Sequence, residues 1–238
     1  MMRLKIFSAV LSWVISLPTF SQSKTVDYFD GTISFAKNEG SLAFHYTHLW
    51  KIGKAQKLSL GLGGRFTSYL GSNQNYITAP AKLTSGSTGP FVIFKENLVE
   101  NIDSLVIKSP FVNSINLSIN IQYGFSSKIT VGFNIDAIGF SFGGKKQGNY
   151  INGSIGSITS GKPTGFNILL ISDNDRGSLN SELFARYQLN DKWSVKGGVV
   201  FLFTEYTTDT KVQQFPEAND RFRNKSLMLG LGVSYTLR

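Results

Sequence analysis

The stretch FVNSINLSINIQYGF, residues 111–125, has a strict two-residue alternation. Every odd-numbered position except Asn113 is apolar, and the even-numbered positions from Ser114 to Gln122 are serine, asparagine or glutamine. Side chains alternate between the two faces of a β-strand, so this stretch predicts a strand with one hydrocarbon face and one face of uncharged amides and hydroxyls. The fold must therefore provide two different environments for one strand.

The same period recurs along most of the chain, and almost no segment has the 3.6-residue period of a helix. Seven further segments alternate in this way: 31–37, 41–52, 58–70, 129–143, 178–189, 193–204 and 224–238. In the segment 129–143 the apolar parity shifts after Ile135, which predicts a β-bulge near Asp136 and Ala137. The sequence thus predicts eight strands.

The connections between these strands alternate in length. Short connections are expected at 38–40, 53–56, 126–128 and 190–192. Long connections are expected at 71–110, 143–177 and 205–223. Apart from the first hairpin, the long connections all fall at one end of the predicted sheet. This asymmetry is typical of bacterial outer-membrane barrels, which have short periplasmic turns and long external loops.

The polar strand faces carry mostly glycine, serine, threonine and asparagine. A secreted β-sandwich would instead present a charged face to water, whereas small neutral side chains suit the narrow lumen of a barrel of eight strands. We therefore expect an all-β fold, an eight-stranded antiparallel transmembrane up-and-down β-barrel.

Aromatic residues on the apolar face support the same interpretation. Five of them lie close to a short turn or to the C-terminus, as an interfacial aromatic girdle requires. They are Trp50, Tyr123, Tyr187, Trp193 and Tyr235.

The N-terminus predicts export. Arg3 and Lys5 precede an apolar stretch from Ile6 to Leu17, which is too short to span a bilayer and is followed by small and polar residues. We expect a signal peptide over residues 1–21 and a single barrel domain over 22–238, located in the outer membrane of a Gram-negative bacterium. The 238 residues include no cysteine, so a hydrogen-bonded sheet must provide the stability that disulfides give many exported domains.

Over residues 29–238 the pattern of strands and loops resembles the small eight-stranded outer-membrane proteins of the OmpA/OmpX type. The resemblance implies insertion by the barrel-assembly machinery and contact with outer-membrane lipid and lipopolysaccharide. Such barrels commonly end in an aromatic residue, whereas this chain ends Tyr235-Thr236-Leu237-Arg238. We expect no periplasmic anchoring domain after the barrel.

Ionisable residues on the predicted lumen face suggest an internal ion-pair network. Charges in a filled barrel must be paired, so acidic and basic side chains are expected to compensate one another. The network residues are Arg65, Asp136, Glu182, Arg186 and Lys196. His45 lies on the same face.

A lipid A hydrolase or acyltransferase with a site near the outer rim is the alternative function. His45, Ser226 and Glu182 all fall in the outer half of their strands and would form its catalytic set. The sequence leaves enzymatic activity open and favours a role without catalysis. No metal site or cofactor is expected, because the chain has no cysteine and its two histidines lie on opposite faces of one strand.

The charge pattern and the long connections indicate the expected partners. The formal net charge of +9 is spread over turns and loops rather than gathered in a run, so we expect no nucleic-acid binding. It favours anionic lipid headgroups or lipopolysaccharide phosphates. The connections 71–110, 143–177 and 205–223 would carry a structural or surface-interaction role toward an unidentified ligand.

Overall fold

The computed structural model describes residues 25–89, 92, 94–153, 155–170 and 174–237. The predicted signal peptide, residues 1–21, lies outside the described residues. The described chain is predominantly β-strand, with a short α-helix and a 3-10 helix between the fourth and fifth strands.

The elements follow one another in this order: β1 (Thr25–Ala36), β2 (Glu39–Ile52), β3 (Leu58–Gly71), β4 (Gln74–Thr78), α1 (Ala81–Ser85), the 3-10 helix Val99–Asn101, β5 (Ser104–Ile107), β6 (Phe111–Gly124), β7 (Ile129–Phe142), β8 (Lys146–Asn152), β9 (Ile155–Pro163), β10 (Phe166–Ile168), β11 (Asn180–Gln188), β12 (Trp193–Thr208) and β13 (Arg221–Thr236).

The long strands pair in a circuit that returns to its start. The antiparallel order is β1, β2, β3, β6, β7, β11, β12, β13 and again β1. Pairing of the first and last of these strands runs from Tyr28 opposite Thr236 to Phe35 opposite Leu229. The sheet therefore closes into a barrel, and closure removes the two edges that an open sheet would expose.

Four of the shorter strands form a second ring above this circuit. β4 pairs with β13 and with β5, β5 pairs with β8, β8 with β9, and β9 with β12. The joins to the barrel lie at one level, because Tyr206 of β12 faces Phe222 of β13 and these residues face Pro163 and Thr78 on their other edges. We call this ring of β4, β5, β8, β9 and the ends of β12 and β13 the cap ring.

The strand count therefore differs from the sequence-based expectation. Thirteen strands lie within the described residues, rather than eight, because the segments 71–110 and 143–177 contain strands of their own. These strands are three to nine residues long, and several are too short to show a clear two-residue period. The last long connection is shorter than predicted and covers 209–220, because β12 continues to Thr208 and β13 begins at Arg221.

The short connections agree with the predicted ones to within two residues. Three of them, 53–57, 125–128 and 189–192, lie together at one end of the barrel, which we call the short-turn end. The fourth, Lys37–Asn38, lies at the opposite end with the cap ring. Asn38 has a φ of 62° there, the left-handed conformation that a tight two-residue hairpin needs and that asparagine tolerates.

The predicted β-bulge is confirmed. Leu117 of β6 pairs with Ile138 of β7, while the next residue, Ser118, pairs with Asp136. Ala137 is the extra residue, and its insertion shifts the parity of β7.

The interior is apolar at the cap end. Side chains of the cap ring and of the adjacent barrel wall form one buried hydrophobic cluster. Its members are Tyr69, Tyr76, Leu105, Ile107, Val112, Tyr150, Val200, Leu202, Tyr206, Phe222 and Met228. Since these groups come from both rings, the cluster joins the cap ring to the barrel and fills this end of the lumen.

Replacing Phe222 should show how much this cluster stabilises the fold. Phe222 is fully buried, and its ring packs edge-on against Tyr150 at a centroid distance of 5.9 Å. We expect Phe222→Ala to lower the free energy of unfolding by about 3–5 kcal/mol because it removes a buried ring and leaves a cavity. Urea unfolding of the refolded protein, followed by tryptophan fluorescence, measures this. Phe215→Ala is the control, because Phe215 is 67% exposed and its loss should change the value by less than about 0.5 kcal/mol.

Candidate functional site

The barrel has its polar side chains inside and its apolar side chains outside. On β6, Asn116 and Ser118 are 1% exposed, whereas Ile115 is 57% and Leu117 63% exposed. The other long strands show the same alternation. The amide and hydroxyl face of the sequence 111–125 is therefore an interior surface, and the hydrocarbon face is the outer wall.

Three acidic and three basic side chains are buried in this interior. They are Asp30, Asp136, Glu182, Arg65, Arg186 and Lys196, each at most 6% exposed. Their formal charges balance, which is what burial of so many ions requires. We call this set the interior ion network.

One half of the network is centred on Asp30 of β1. Nη2 of Arg186 lies 3.2 Å from Oδ2 of Asp30, and Nζ of Lys196 lies 3.5 Å from the same oxygen. Lys196 also pairs with Glu182, with 2.9 Å between Nζ and Oε2. The guanidinium of Arg186 stacks over the ring of Tyr28 at 4.0 Å, a cation–π contact that supports its position.

The other half is centred on Asp136 of β7. Nε of Arg65 lies 3.2 Å from Oδ1 of Asp136, while Oδ2 accepts hydrogen bonds from Asn116 Nδ2 at 2.8 Å and from the backbone N–H of Asn180 at 3.0 Å. Asn134 connects the halves, because its Oδ1 accepts from Arg65 and its Nδ2 donates to Glu182 Oε2 at 3.1 Å. The network is thus continuous across the lumen.

All five residues that the sequence placed in this network lie inside the barrel, and one further member was missed. Asp30 compensates Arg186 and Lys196, yet the predicted first strand began one residue later. The signal was present, because Asp30 has the parity of Thr32 and Ser34, which are both buried on the lumen face. Since β1 begins at Thr25, a longer first strand would have included it.

The catalytic trio considered from the sequence is not brought together. Nε2 of His45 hydrogen-bonds Oγ of Ser118 at 2.7 Å, and Ser226 donates to Glu39 Oε2 at 2.6 Å. Glu182 pairs with Lys196 instead. Within the described residues no hydrogen bond joins any two of the three, and His45 is 3% exposed, so this arrangement provides no substrate access to a Ser/His pair.

The five predicted girdle residues lie on the outer wall near the short-turn end. Tyr123, Tyr187 and Trp193 are more than two-fifths exposed, and Trp50 and Tyr235 are partly exposed. Trp193 pairs with Tyr235 across neighbouring strands, with ring centroids 4.8 Å apart.

A second buried ion cluster, which the sequence did not indicate, fastens the connection 164–179 to the outer wall. Glu205 of β12 accepts from Arg221 Nε at 2.8 Å and from Arg223 Nη2 at 2.8 Å. Both arginines also donate to the backbone carbonyl of Asp175. Parity would have placed these groups on the outer face, and only the tertiary fold shows that a loop covers them.

In the cap ring, Tyr150 donates a hydrogen bond to Asp103 Oδ2 at 2.5 Å. Burial and then this carboxylate raise the pKa of Tyr150 to about 12, so the phenol stays protonated and can donate at neutral pH.

Neither a metal site nor a membrane-spanning helix is found in the part of the chain that the structure describes. Among those residues, no three histidine, aspartate or glutamate side chains are grouped to hold a metal ion. No helix there is long and apolar enough to cross a bilayer.

Comparisons with known proteins give structural similarities at low sequence identity. No protein-family model matches the chain, and no curated protein matches it. Neisserial surface protein A (NspA) is 9% identical and aligns over 89% of this chain and 96% of its own, with a TM-score of 0.38. Ail, the attachment invasion locus protein of Yersinia pestis, is 7% identical over 91% of this chain and 100% of its own, with a TM-score of 0.37.

A major outer membrane protein from Thermus thermophilus is 13% identical over 90% of this chain and 100% of its own, with a TM-score of 0.35.

Breaking one ion pair of the interior network should destabilise the protein strongly. We expect Asp136→Ala to lower the free energy of unfolding by about 3–5 kcal/mol, because it leaves Arg65 buried without its carboxylate. Urea unfolding with and without the second change Arg65→Met measures the coupling, and the double variant should recover part of the loss.

The exposed pair Lys145–Asp209 is the control, with 2.8 Å between Nζ and Oδ2. Asp209→Ala should cost less than about 1 kcal/mol because solvent screens an exposed pair. An equally small cost for Asp136→Ala would contradict the importance of the buried pair.

Proposed function

We propose that this chain is an integral outer-membrane β-barrel protein whose long connections have a structural or surface-interaction role outside the cell. The eight strands of the closed circuit, β1, β2, β3, β6, β7, β11, β12 and β13, would be its membrane-spanning strands. One observation carries the proposal: a closed sheet with charged and amide groups inside and hydrocarbon outside. In water such a wall would expose a large apolar surface, whereas a bilayer solvates it.

The height of the apolar wall suits a bilayer. Along β13 and the residue after it, the outward-facing apolar side chains run from Leu227 to Leu237, a span of eleven residues. A tilted membrane-spanning strand needs about 9–11 residues. Above them Lys225 is exposed, and near the other end Trp193 and Tyr235 pack against each other, where an aromatic girdle would meet the headgroups.

The filled interior argues against a general porin. The interior ion network occupies the lumen, and the apolar cluster closes the cap end. A narrow barrel of this kind has room for side chains rather than a water channel. We therefore favour a function at the surface over solute passage.

The surface-interaction role is supported by apolar side chains that protrude from the cap end. Ile155 and Ile158 on β9 are 76% and 82% exposed, and Phe215 in the connection 209–220 is 67% exposed. Among the strands that the structure describes, residues 155–159 of β9 pair with β8 alone, so no described strand covers their other edge. Exposed apolar groups beside a free strand edge favour contact with another molecule.

The expected partners follow from this location. The outer wall would contact outer-membrane lipid and lipopolysaccharide, and the barrel-assembly machinery would insert the chain after export by its signal peptide.

A charge placed on the outer wall distinguishes a membrane barrel from a soluble one. Leu231 lies halfway along the apolar run of β13 and is 61% exposed. We expect Leu231→Arg to lower the free energy of unfolding in lipid vesicles by about 2–4 kcal/mol, because the arginine would lie at mid-membrane. The matched control is Leu237→Arg at the short-turn end, where the cost should be about 0–1 kcal/mol.

Urea titrations of vesicle-reconstituted protein give both values. If Leu231→Arg changed stability by less than about 0.5 kcal/mol, as an exposed site in water would, the membrane assignment would be wrong.

Orientation is testable because the chain has no cysteine. Asn152→Cys and Ala218→Cys, exposed at the cap end, should react with a membrane-impermeant maleimide on intact cells. Ser127→Cys and Asp191→Cys, exposed at the short-turn end, should react only after the outer membrane is opened. Labelling of Ser127→Cys on intact cells, with Asn152→Cys silent, would invert the topology.

A further inference from the structure

A cavity of about 450 Å³ opens at the short-turn end of the barrel. The turns 53–57 and 125–128 contribute to its rim, and side chains of the lower lumen form its walls. Its inner end meets the interior ion network, because the lining residues Tyr28 and Gln122 both contact Arg186. The cavity is therefore a blind vestibule, of a size found for small-molecule sites.

The charges of the vestibule have one sign. Lys51 and Lys57 line it, and the lining residues include no aspartate or glutamate. Within the described residues neither lysine forms a salt bridge. A concave site lined by unpaired cations concentrates anions, because the low-dielectric walls focus the field.

The remaining polar groups suit a hydroxylated ligand. The side-chain amides of Gln56 and Gln122 line the vestibule, together with the hydroxyls of Ser59 and Thr130. Such groups both donate and accept, as the hydroxyls of a sugar or polyol do. Gln188 also lines the vestibule, but its Nε2 donates to the Asn190 carbonyl and its Oε1 accepts from Ser194.

Gln122 is oriented by the ion network. Its Oε1 accepts from Arg186 Nη1 at 2.9 Å, which leaves Nε2 to donate to a molecule in the vestibule. Tyr28 and Phe125 add aromatic surface to the lining.

We propose that this vestibule binds a small anion that also carries hydroxyl groups, such as a sugar phosphate or a sugar acid. Lys51 and Lys57 would bind the acidic group, and the glutamine and serine side chains would hydrogen-bond the hydroxyls. The ion network behind Gln122 blocks onward passage, so the ligand is held rather than transported. This proposal rests on the proposed function in one respect only, that the vestibule would open to the periplasm.

Calorimetric titration of the refolded chain in detergent micelles tests the proposal. The probes are glucose 6-phosphate, glucuronate and, as the uncharged match, glucose. We expect at least one of the two anions to bind at least tenfold more tightly than glucose. The anion that binds more tightly identifies the acidic group as phosphate or carboxylate. Equal binding of all three, or binding of none at millimolar concentration, would overturn the proposal.

Charge variants assign binding to the vestibule. The double variant Lys51→Ala/Lys57→Ala should weaken anion binding at least tenfold. Lys54→Ala is the matched control, because Lys54 is exposed in the turn 53–57 but does not line the cavity. The anion affinity of this variant should stay within twofold of that of the unchanged protein. If Lys54→Ala weakened binding as much as the double variant, general surface charge would be the cause and the site would be refuted.

These titrations need no membrane. If neither anion binds but Leu231→Arg destabilises the protein in vesicles as expected, the vestibule proposal is refuted and the membrane proposal stands. If an anion binds but Leu231→Arg leaves stability in vesicles unchanged, the membrane proposal is refuted and the vestibule proposal stands.

Discussion

The hydrogen bonds between β1 and β13 are the constraint on which the rest of the structure depends. They join the first and last strands of the described chain and turn a sheet with two edges into a wall with none. Closure also completes the electrostatics of the interior. Asp30 belongs to β1, whereas its cationic partners Arg186 and Lys196 belong to β11 and β12, so the pairs exist only when the wall is complete. Opening the seam would leave charges of both signs without compensation.

The closed wall holds two interiors in series. Along the inward face of β12, Ser194 and Lys196 belong to the polar region, and Val200, Leu202 and Tyr206 belong to the apolar cluster. In the polar region a continuous set of ion pairs and side-chain amide hydrogen bonds links the buried charges. The apolar region is covered by the cap ring. At the level where the barrel ends, β12 and β13 continue and four short strands take the place of the other six barrel strands. The inner face of β12 thus contacts a polar region and then an apolar one, while its outer face belongs to the apolar wall.

Much of the barrel could be predicted from the period of two, and the rest could not for physical reasons. The alternation of 111–125, the bulge at Ala137 and the short turns near 53–57 and 189–192 are local signals, and the structure has all of them. The cap strands escaped prediction because a strand such as β5, with four residues, carries too little periodicity.

Which side chains meet inside the lumen depends on the stagger between strands as well as on the face that each side chain occupies. Parity placed Arg65 and Glu182 inside, but the strand stagger decides which acid meets which base across the lumen. The same limit applies to His45 and Ser226. Both lie on the lumen face and in the same half of the barrel, but they hydrogen-bond different partners.

The hairpin of β12 and β13 belongs to both rings, and this sets an order of assembly. Four short strands that come earlier in the chain have no complete ring until the last two strands are present, because both of their outer joins are to β12 and β13. Contacts between residues so far apart in sequence carry a loop-closure cost that contacts within a hairpin do not. The cap ring therefore cannot be completed before β12 and β13 are present, and the same two strands also complete the barrel wall.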